Sequence, residues 1–293
     1  MAVTDIQIAP APARGRGYWA GVMRRLARDK VAMVCLVILV LLLGSALLAP
    51  WLPLNDPYAA SMTMRLKPIG TPGHLLGTDE QGRDMLARLI HGGRLTLLIG
   101  LVPVVVAFFA GSVLGIVAGY VGGRTNTIIM RTVDVFFAFP SVLLAIAISG
   151  ALGAGILNSL VSLSIVFVPP IARVAESVTS AVRSADYIEA ARATGGNALT
   201  IMRVHVLGNV LGPIFVYASS LTSVCMILAA GLSFLGVGVR PPEPEWGLML
   251  NTLRSAIYMN PAVAALPGAM IFVTSLCLNL LSDGLRSAMN VKE

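Results

Sequence analysis

Five long stretches without Asp, Glu, Lys or Arg set the terms for what this chain can fold into. They cover residues 31–52, 95–123, 135–172, 204–239 and 255–282. An α-helix rises 1.5 Å per residue, so about 20 apolar residues cross a hydrocarbon core of about 30 Å. The first, second and fifth stretches each hold one span. The third is too long for one helix and slightly short for two. Gly150-Ala-Leu-Gly-Ala-Gly155 breaks it, which predicts helices over 131–150 and 156–175. The fourth stretch holds one span at 210–232, making six. Only 12% of residues are charged against 56% hydrophobic, which excludes an ordinary soluble enzyme domain. The expected class is therefore an all-α integral membrane protein.

The basic residues orient the spans. With the N-terminus in the cytoplasm, fourteen Lys and Arg lie inside: six from Arg14 to Lys30, then Arg124, Arg131, Arg173, Arg183, Arg192, Arg203, Arg286 and Lys292. Seven lie outside: Arg65, Lys67, Arg83, Arg88, Arg94, Arg240 and Arg254. Cytoplasmic flanks carry the basic excess, so both termini are expected in the cytoplasm. A net charge of +7 then reflects loops and anionic lipid rather than nucleic acid. Cys35, Cys225 and Cys277 sit inside apolar runs as small hydrophobes. Residues 1–30 are expected to form a cytoplasmic tail without a cleavable signal, since their polar stretch is too long for a signal's basic start and the apolar run after them is span-length; 286–293 are expected to form a second tail. Residues 53–94 are the largest outside segment. Thr78-Asp-Glu-Gln81 has capping-box spacing, Met85, Leu86, Leu89 and Ile90 make one apolar face, and Gly92-Gly93 supplies a stop. That pattern predicts a short amphipathic helix on the outer face, with a plain loop turn as the other reading.

One polar stretch interrupts the apolar chain on the cytoplasmic side: Asp186-Tyr-Ile-Glu-Ala-Ala-Arg-Ala-Thr-Gly-Gly-Asn197, continuing to Asn209. Asp186 can cap a helix carrying Glu189 in its first turn, where carboxylates meet the positive helix end. Ala190, Ala191 and Ala193 give a face of minimal bulk. Gly195-Gly196 ends the helix, and Asn197 can cap another leading into the fifth span. The residues predict an elbow joined to membrane helices; an interfacial loop helix fits the composition as well. Glu189-Ala190-Ala191, then Gly195, then His205-x-Leu207 resembles the EAA motif of binding-protein-dependent ABC importer permeases.

The resemblance extends along most of the chain and narrows to the C-type subunit of the dipeptide/oligopeptide/nickel group. Leu76-Gly-Thr-Asp-Glu-Gln-Gly-Arg-Asp84, Phe137-Ala-Phe-Pro140, Leu232-Ser-Phe-Leu-Gly236, Pro241-Pro-x-Pro-x-Trp-Gly247 and Asn279-Leu-Leu-x-Asp-Gly-Leu-Arg286 follow the group's landmarks in order. It implies a six-span MetI-like permease fold whose coupling region, 186–207 within a core of 95–285, docks on an ATPase subunit. Asp186, Glu189, Ala190, Ala191, Gly195 and Leu207 are the coupling residues it implies. It also implies a homologous B-type permease partner, two ATPase subunits holding ATP and Mg, an extracytoplasmic binding protein and a bacterial inner-membrane location. Di- or oligopeptides are the implied cargo, with nickel or a glutathione-like peptide as alternatives. Three positions depart from the group: Gly208 where Pro is usual, Ala229 where Glu is frequent, and Ala262 where Trp is common.

No Lys follows a Gly anywhere, so the chain has no GxxxxGK[ST] phosphate loop. His74, His91 and His205 are dispersed without HExxH, and GxSxG is absent. No cofactor or metal is expected on this chain. Asp134 stands near the cytoplasmic end of the third span, three residues from Arg131, so the two can pair on one face. The pair reads either as a structural salt bridge or as part of an inner gate. In the fifth span Ser219, Ser220 and Ser223 fall closest together at 100° per residue. They form a polar stripe toward a pathway, or hydrogen-bond back to their own helix. An ion-coupled carrier would show intramembrane acids or inverted repeats, which the sequence does not display.

Overall fold

A computed structural model describes residues 18–289. The expectations for 1–17 and 290–293 lie outside the described residues. Among those described, the chain is all helical: α1 (Tyr18–Leu26), α2 (Lys30–Leu48), α3 (Met85–Val121), α4 (Gly123–Phe137), α5 (Ser141–Leu152), α6 (Ile156–Arg183), α7 (Asp186–Ala193), α8 (Ala198–Ile201), α9 (Leu207–Phe234), α10 (Trp246–Thr252) and α11 (Pro261–Met289). Short 3₁₀ turns and one π-helical turn, Met202–Val206, complete it. Five helical segments are long and apolar enough to cross a membrane, or six if the bent pair α4–α5 is one span.

Helix boundaries follow their caps. Asp29 Oδ1 accepts from the Val31 and Ala32 amides at 3.0 and 3.1 Å and starts α2. Asp84 Oδ1 accepts from the Ala87 amide at 2.8 Å and starts α3, satisfying donors that the first turn leaves free. Pro140 precedes α5, and the residue before a proline is steered out of the helical region. There the chain bends by 86° between α4 and α5.

The centre of the bundle is the α3–α6 contact. Gly111, Gly115 and Gly119 of α3 lie against the backbone of α6. A Cβ at Gly111 or Gly119 would meet the Val168 or Glu176 carbonyl at 2.9 or 2.7 Å, and one at Gly115 would meet the Ala172 carbonyl closer still. Four-residue steps on both helices, rising together, make the pair parallel. Close backbone approach through glycine is the packing that lipid favours. Because α3 and α6 run the same way, the chain between them must return across the bundle. The bent pair α4–α5 is therefore one crossing, and the total is six.

The two ends of the bundle differ. One gathers residues 52–84, Gly155 and 236–260: Gly155 donates to the Gly238 carbonyl at 2.8 Å, and Trp246 Nε1 donates to the Leu89 carbonyl at 2.8 Å. The other gathers α1, the start of α2, the end of α11 and residues 183–208. Arg25 Nε donates to the Ala288 carbonyl at 2.9 Å, and Gly212 lies against Met289. These are called the loop end and the elbow end. The core between them takes Ile99, Val104, Leu163, Phe167, Ile171 and Ile214, and continues to Ile188, Ile201 and Val206. On α2, by contrast, only Ala32, Cys35 and Ala46 are buried; its four Val side chains and Leu41, Leu43, Leu47 and Leu48 are exposed, as lipid contact requires.

Three expectations change. The separate amphipathic helix before the second span does not exist: residues 78–84 form a turn, and α3 runs from Met85 straight through Gly92-Gly93. Thr78 cannot cap because it is fully buried, its hydroxyl bonded to the Met64 carbonyl and the Lys67 amide. The two glycines do not stop the helix; they let Pro244 and Trp246 lie on its backbone. The third span is two helices meeting at a sharp bend rather than one rod. The fifth is longer than 210–232, since Ala198–Phe234 is continuous through the π turn.

Candidate functional site

The elbow forms as its residue types require. Asp186 does not occupy the cap position. Ala185 does, without a side-chain acceptor, and Asp186 and Glu189 sit in the first turn of α7, where their charge still meets the helix dipole. Gly195 has φ +83, a left-handed conformation that glycine alone adopts without strain. It ends the helix as its amide donates to the Arg192 carbonyl at 3.0 Å, and the Gly196 amide donates to Ala191 at 3.1 Å. Asn197 Oδ1 then accepts from the Leu199 amide at 3.2 Å and starts α8, as expected. The π turn carries the chain through Arg203 and His205 into α9, and Asn209 Nδ2 donates to the His205 carbonyl at 2.6 Å.

One face of this elbow is fixed and the other is open. Ile188, Ile201 and Val206 are buried in the main core, with Ala191 and Leu207 partly buried against it. Asp186, Glu189, Ala190, Arg192 and Gly195 are exposed. Tyr187, Leu199 and Val204 are exposed apolar side chains on the same surface, Leu199 at 71%. The six residues for which the resemblance implies coupling thus lie on one structure: Asp186, Glu189, Ala190 and Gly195 on its open face, Ala191 and Leu207 partly buried against the core. Sequence reasoning missed Tyr120, whose hydroxyl reaches the elbow from α3. It sits inside a long apolar run, and nothing in that run distinguishes it.

The expected pair Asp134–Arg131 does not form. Asp134 pairs with Arg173 of α6, and the Arg173 guanidinium lies 5.7 Å from the centre of the Phe137 ring. The α4–α6 packing brings these together across 39 positions of sequence, whereas Arg131 is exposed and has no ion pair among the described residues. The three serines all bond within their own helix: Ser219 to the Val216 carbonyl at 2.7 Å, Ser220 to Tyr217 at 2.8 Å and Ser223 to Ser220 at 2.9 Å. Ser219 borders a cavity of about 430 Å³ beside Phe108 and Phe215, while Ser223 borders a different one of about 650 Å³ between α9 and α11. They do not share one cavity.

At the loop end the motif from Leu76 to Asp84 is a lock. The Asp79 carboxylate accepts from the Gln81 and Arg83 amides at 2.8 and 2.9 Å, from Arg83 Nε at 2.6 Å, and faces Arg88 Nε at 3.2 Å. Glu80 accepts from Arg83 Nη2 at 2.9 Å. Burial, and then the neighbouring Asp79 charge, push the Glu80 carboxyl above its ordinary range. Asp84 joins His74 Nδ1 at 2.8 Å and Asn55 Nδ2 at 3.1 Å. Glu245, almost fully buried, holds the amides of Gly247 and Leu248 at 2.9 and 2.8 Å and so starts α10.

Residues 111–291 match the family described as binding-protein-dependent transport system inner membrane component. This chain belongs to that family. Residues 17–68 match the N-terminal transmembrane domain of oligopeptide transport permease C. The di/tripeptide transport system permease protein of Pseudomonas aeruginosa is 41% identical over 91% of this chain and 89% of that protein. The glutathione transport system permease protein of Pectobacterium atrosepticum is 40% identical over 94% of this chain and 92% of that protein. The family is an inner-membrane transport component, and the six apolar crossings fit a chain embedded in a membrane. Of the departures from the group, Ala229 is buried in the core, Ala262 is exposed at the start of α11, and Gly208 has open space around it just after the π turn.

Proposed function

We propose that the chain is one permease subunit of an ABC importer that carries peptides of two or three residues across the bacterial inner membrane by alternating access. The observation that carries this reading is the elbow, open on one face and continuous on both sides with membrane-crossing helices α6 and α9. A load applied to that face moves two spans at once. A homologous B-type permease completes the pathway, two ATPase subunits bind ATP and Mg and dock on the elbow, and an extracytoplasmic binding protein delivers cargo to the loop end. This chain supplies no ATP site of its own, and both its termini lie in the cytoplasm with the elbow. Identity to a di/tripeptide permease supports the cargo class. Identity to a glutathione permease supports a second, chemically adjacent cargo, since glutathione is itself a tripeptide with one unusual linkage.

Closure of the ATPase subunits would draw the elbow and swing α6 and α9, opening the pathway toward the loop end; hydrolysis would reset it. The pair Asp134–Arg173 joins the bent span to α6 and is the inner gate in this reading, with Arg131 one helical turn away. Ser219, Ser220 and Ser223 line the moving fifth span. Gly195→Pro tests the dock. Proline holds φ near −65° and cannot follow a turn at φ +83, so the assembled complex should lose at least about tenfold in substrate-stimulated ATP hydrolysis. Gly195→Ala, strained by about 1 kcal/mol in that conformation, should lose less. Full stimulation in an assembled Gly195→Pro complex would refute the coupling role.

A further inference from the structure

The elbow hangs from α6 on one side and from the π turn and α9 on the other. A third attachment, without chain continuity, comes from α3. Tyr120 is the next-to-last residue of that helix and only 9% exposed. Its hydroxyl donates to the Ala198 carbonyl at 3.1 Å, and the Arg192 guanidinium lies 5.9 Å from the centre of its ring. Ala198 is the first residue of α8, and Arg192 lies in the last turn of α7. One side chain therefore touches both arms of the elbow across the Gly195-Gly196 turn. The next residues secure the same junction. Gly122, at φ +70, ends α3 with its amide on the Ala118 carbonyl, and the Arg183 guanidinium of α6 lies where a Cβ at Gly122 would stand.

We infer that Tyr120 is a positioning residue that passes movement of the elbow to α3, an inference that rests on the coupling role proposed above. The geometry gives it somewhere to go. Helix α3 is 37 residues long, about 55 Å at 1.5 Å per residue, and reaches from the elbow to the loop end. There Gly92, Gly93 and the Leu89 carbonyl receive Trp246. Its glycines seat it on α6, so α3 and α6 move as one body when both are held at the elbow. Without Tyr120, α6 and α9 remain joined to the elbow through the chain, while α3 follows only through its contact with α6. Tyr120 keeps the angle between the elbow's arms matched to α3.

The test uses the complete transporter, with the three native cysteines replaced and single cysteines introduced by Val204→Cys on the elbow or Val121→Cys at the elbow end of α3, both exposed positions. Maleimide labelling rates are compared without nucleotide and with ATP and vanadate. Tyr120→Phe removes the hydrogen bond and keeps the ring; Tyr120→Leu removes both contacts. With a neutral hydrogen bond and one cation–π contact at stake, the ATP-dependent rate change at position 121 should fall about threefold in the Phe variant and about tenfold in the Leu variant. The change at position 204 should stay as in the unmodified transporter. An unaltered response at position 121 in both variants overturns the inference. If the Leu variant does not assemble, the nearly isosteric Phe variant decides by itself. No ATP response at position 204 in the parent transporter overturns the coupling role instead, so the two failures are separable.

Discussion

Glu80 is the residue whose setting departs furthest from its sequence appearance. Read along the chain, it is one more acid in a polar loop. Folded, it lies beside Asp79 with Arg83 on its carboxylate, and its carboxyl is shifted upward, with burial the larger cause. A raised carboxylate favours the protonated form in the folded loop. Its stabilising contribution is complete below the ordinary carboxylate range, about 4.3 for Glu, and is lost as pH rises through the raised value. Glu80→Gln keeps an acceptor for Arg83 and has no proton to lose. Resistance of residues 53–84 to limited proteolysis should therefore match in the two proteins near pH 4, and the unmodified loop should become the more easily cut as pH rises toward 7. Parallel pH profiles would contradict this account of Glu80.

Elements behave as the solvent around them demands. In water, an outward row of Val and Leu on α2 would drive aggregation; in lipid it is an ordinary surface, and helix pairs are held by close packing instead. The α3–α6 glycine row shows what that packing needs. Gly115→Val would place side-chain atoms against the Ala172 carbonyl and Ala175, and overpacking of that kind costs about 1–3 kcal/mol. The substituted protein should unfold at lower temperature in detergent. Gly44→Ala on α2, with nothing within 4 Å of the new methyl group, should melt like the parent or slightly higher. Equal melting of the two variants would show that the α3–α6 contact is looser than its geometry. The same logic explains why Gly92-Gly93 does not end a helix. Paired glycines mark a stop only where the backbone turns, and here they mark a place where another segment touches it.

At the scale of the whole molecule, the elbow and both described termini share one end, and the long loop with Glu245 and Trp246 shares the other. The excess of basic residues at the elbow end favours a cytoplasmic location for it. Single cysteines introduced by Thr63→Cys and Asn197→Cys, both exposed, test this in intact cells after replacement of Cys35, Cys225 and Cys277. An impermeant thiol reagent should label position 63 and leave position 197 untouched until the membrane is permeabilised. The reverse pattern would invert the topology and move the elbow away from any cytoplasmic ATPase.

What the sequence determined by itself was whatever depends on local rules: the number of crossings, from lengths of uncharged chain set against bilayer thickness; the elbow, from Gly195, Asn197 and the acids of α7; and the family, from motifs in order. What the tertiary structure decided were matters of contact between segments far apart in the chain. Asp134 chose Arg173 over its helix neighbour Arg131 because α4 packs on α6. The capping role expected at Thr78 passed to Asp84 because the buried Thr78 hydroxyl is held by Met64 and Lys67, while α7 starts one residue early for Asp186, leaving Ala185 at the cap position with no side-chain acceptor. Tyr120 became part of the elbow because a parallel α3 ends beside it. Periodicity records which face of a helix is apolar, but not which helix will cover it, and the identity of that neighbour fixes every one of these assignments.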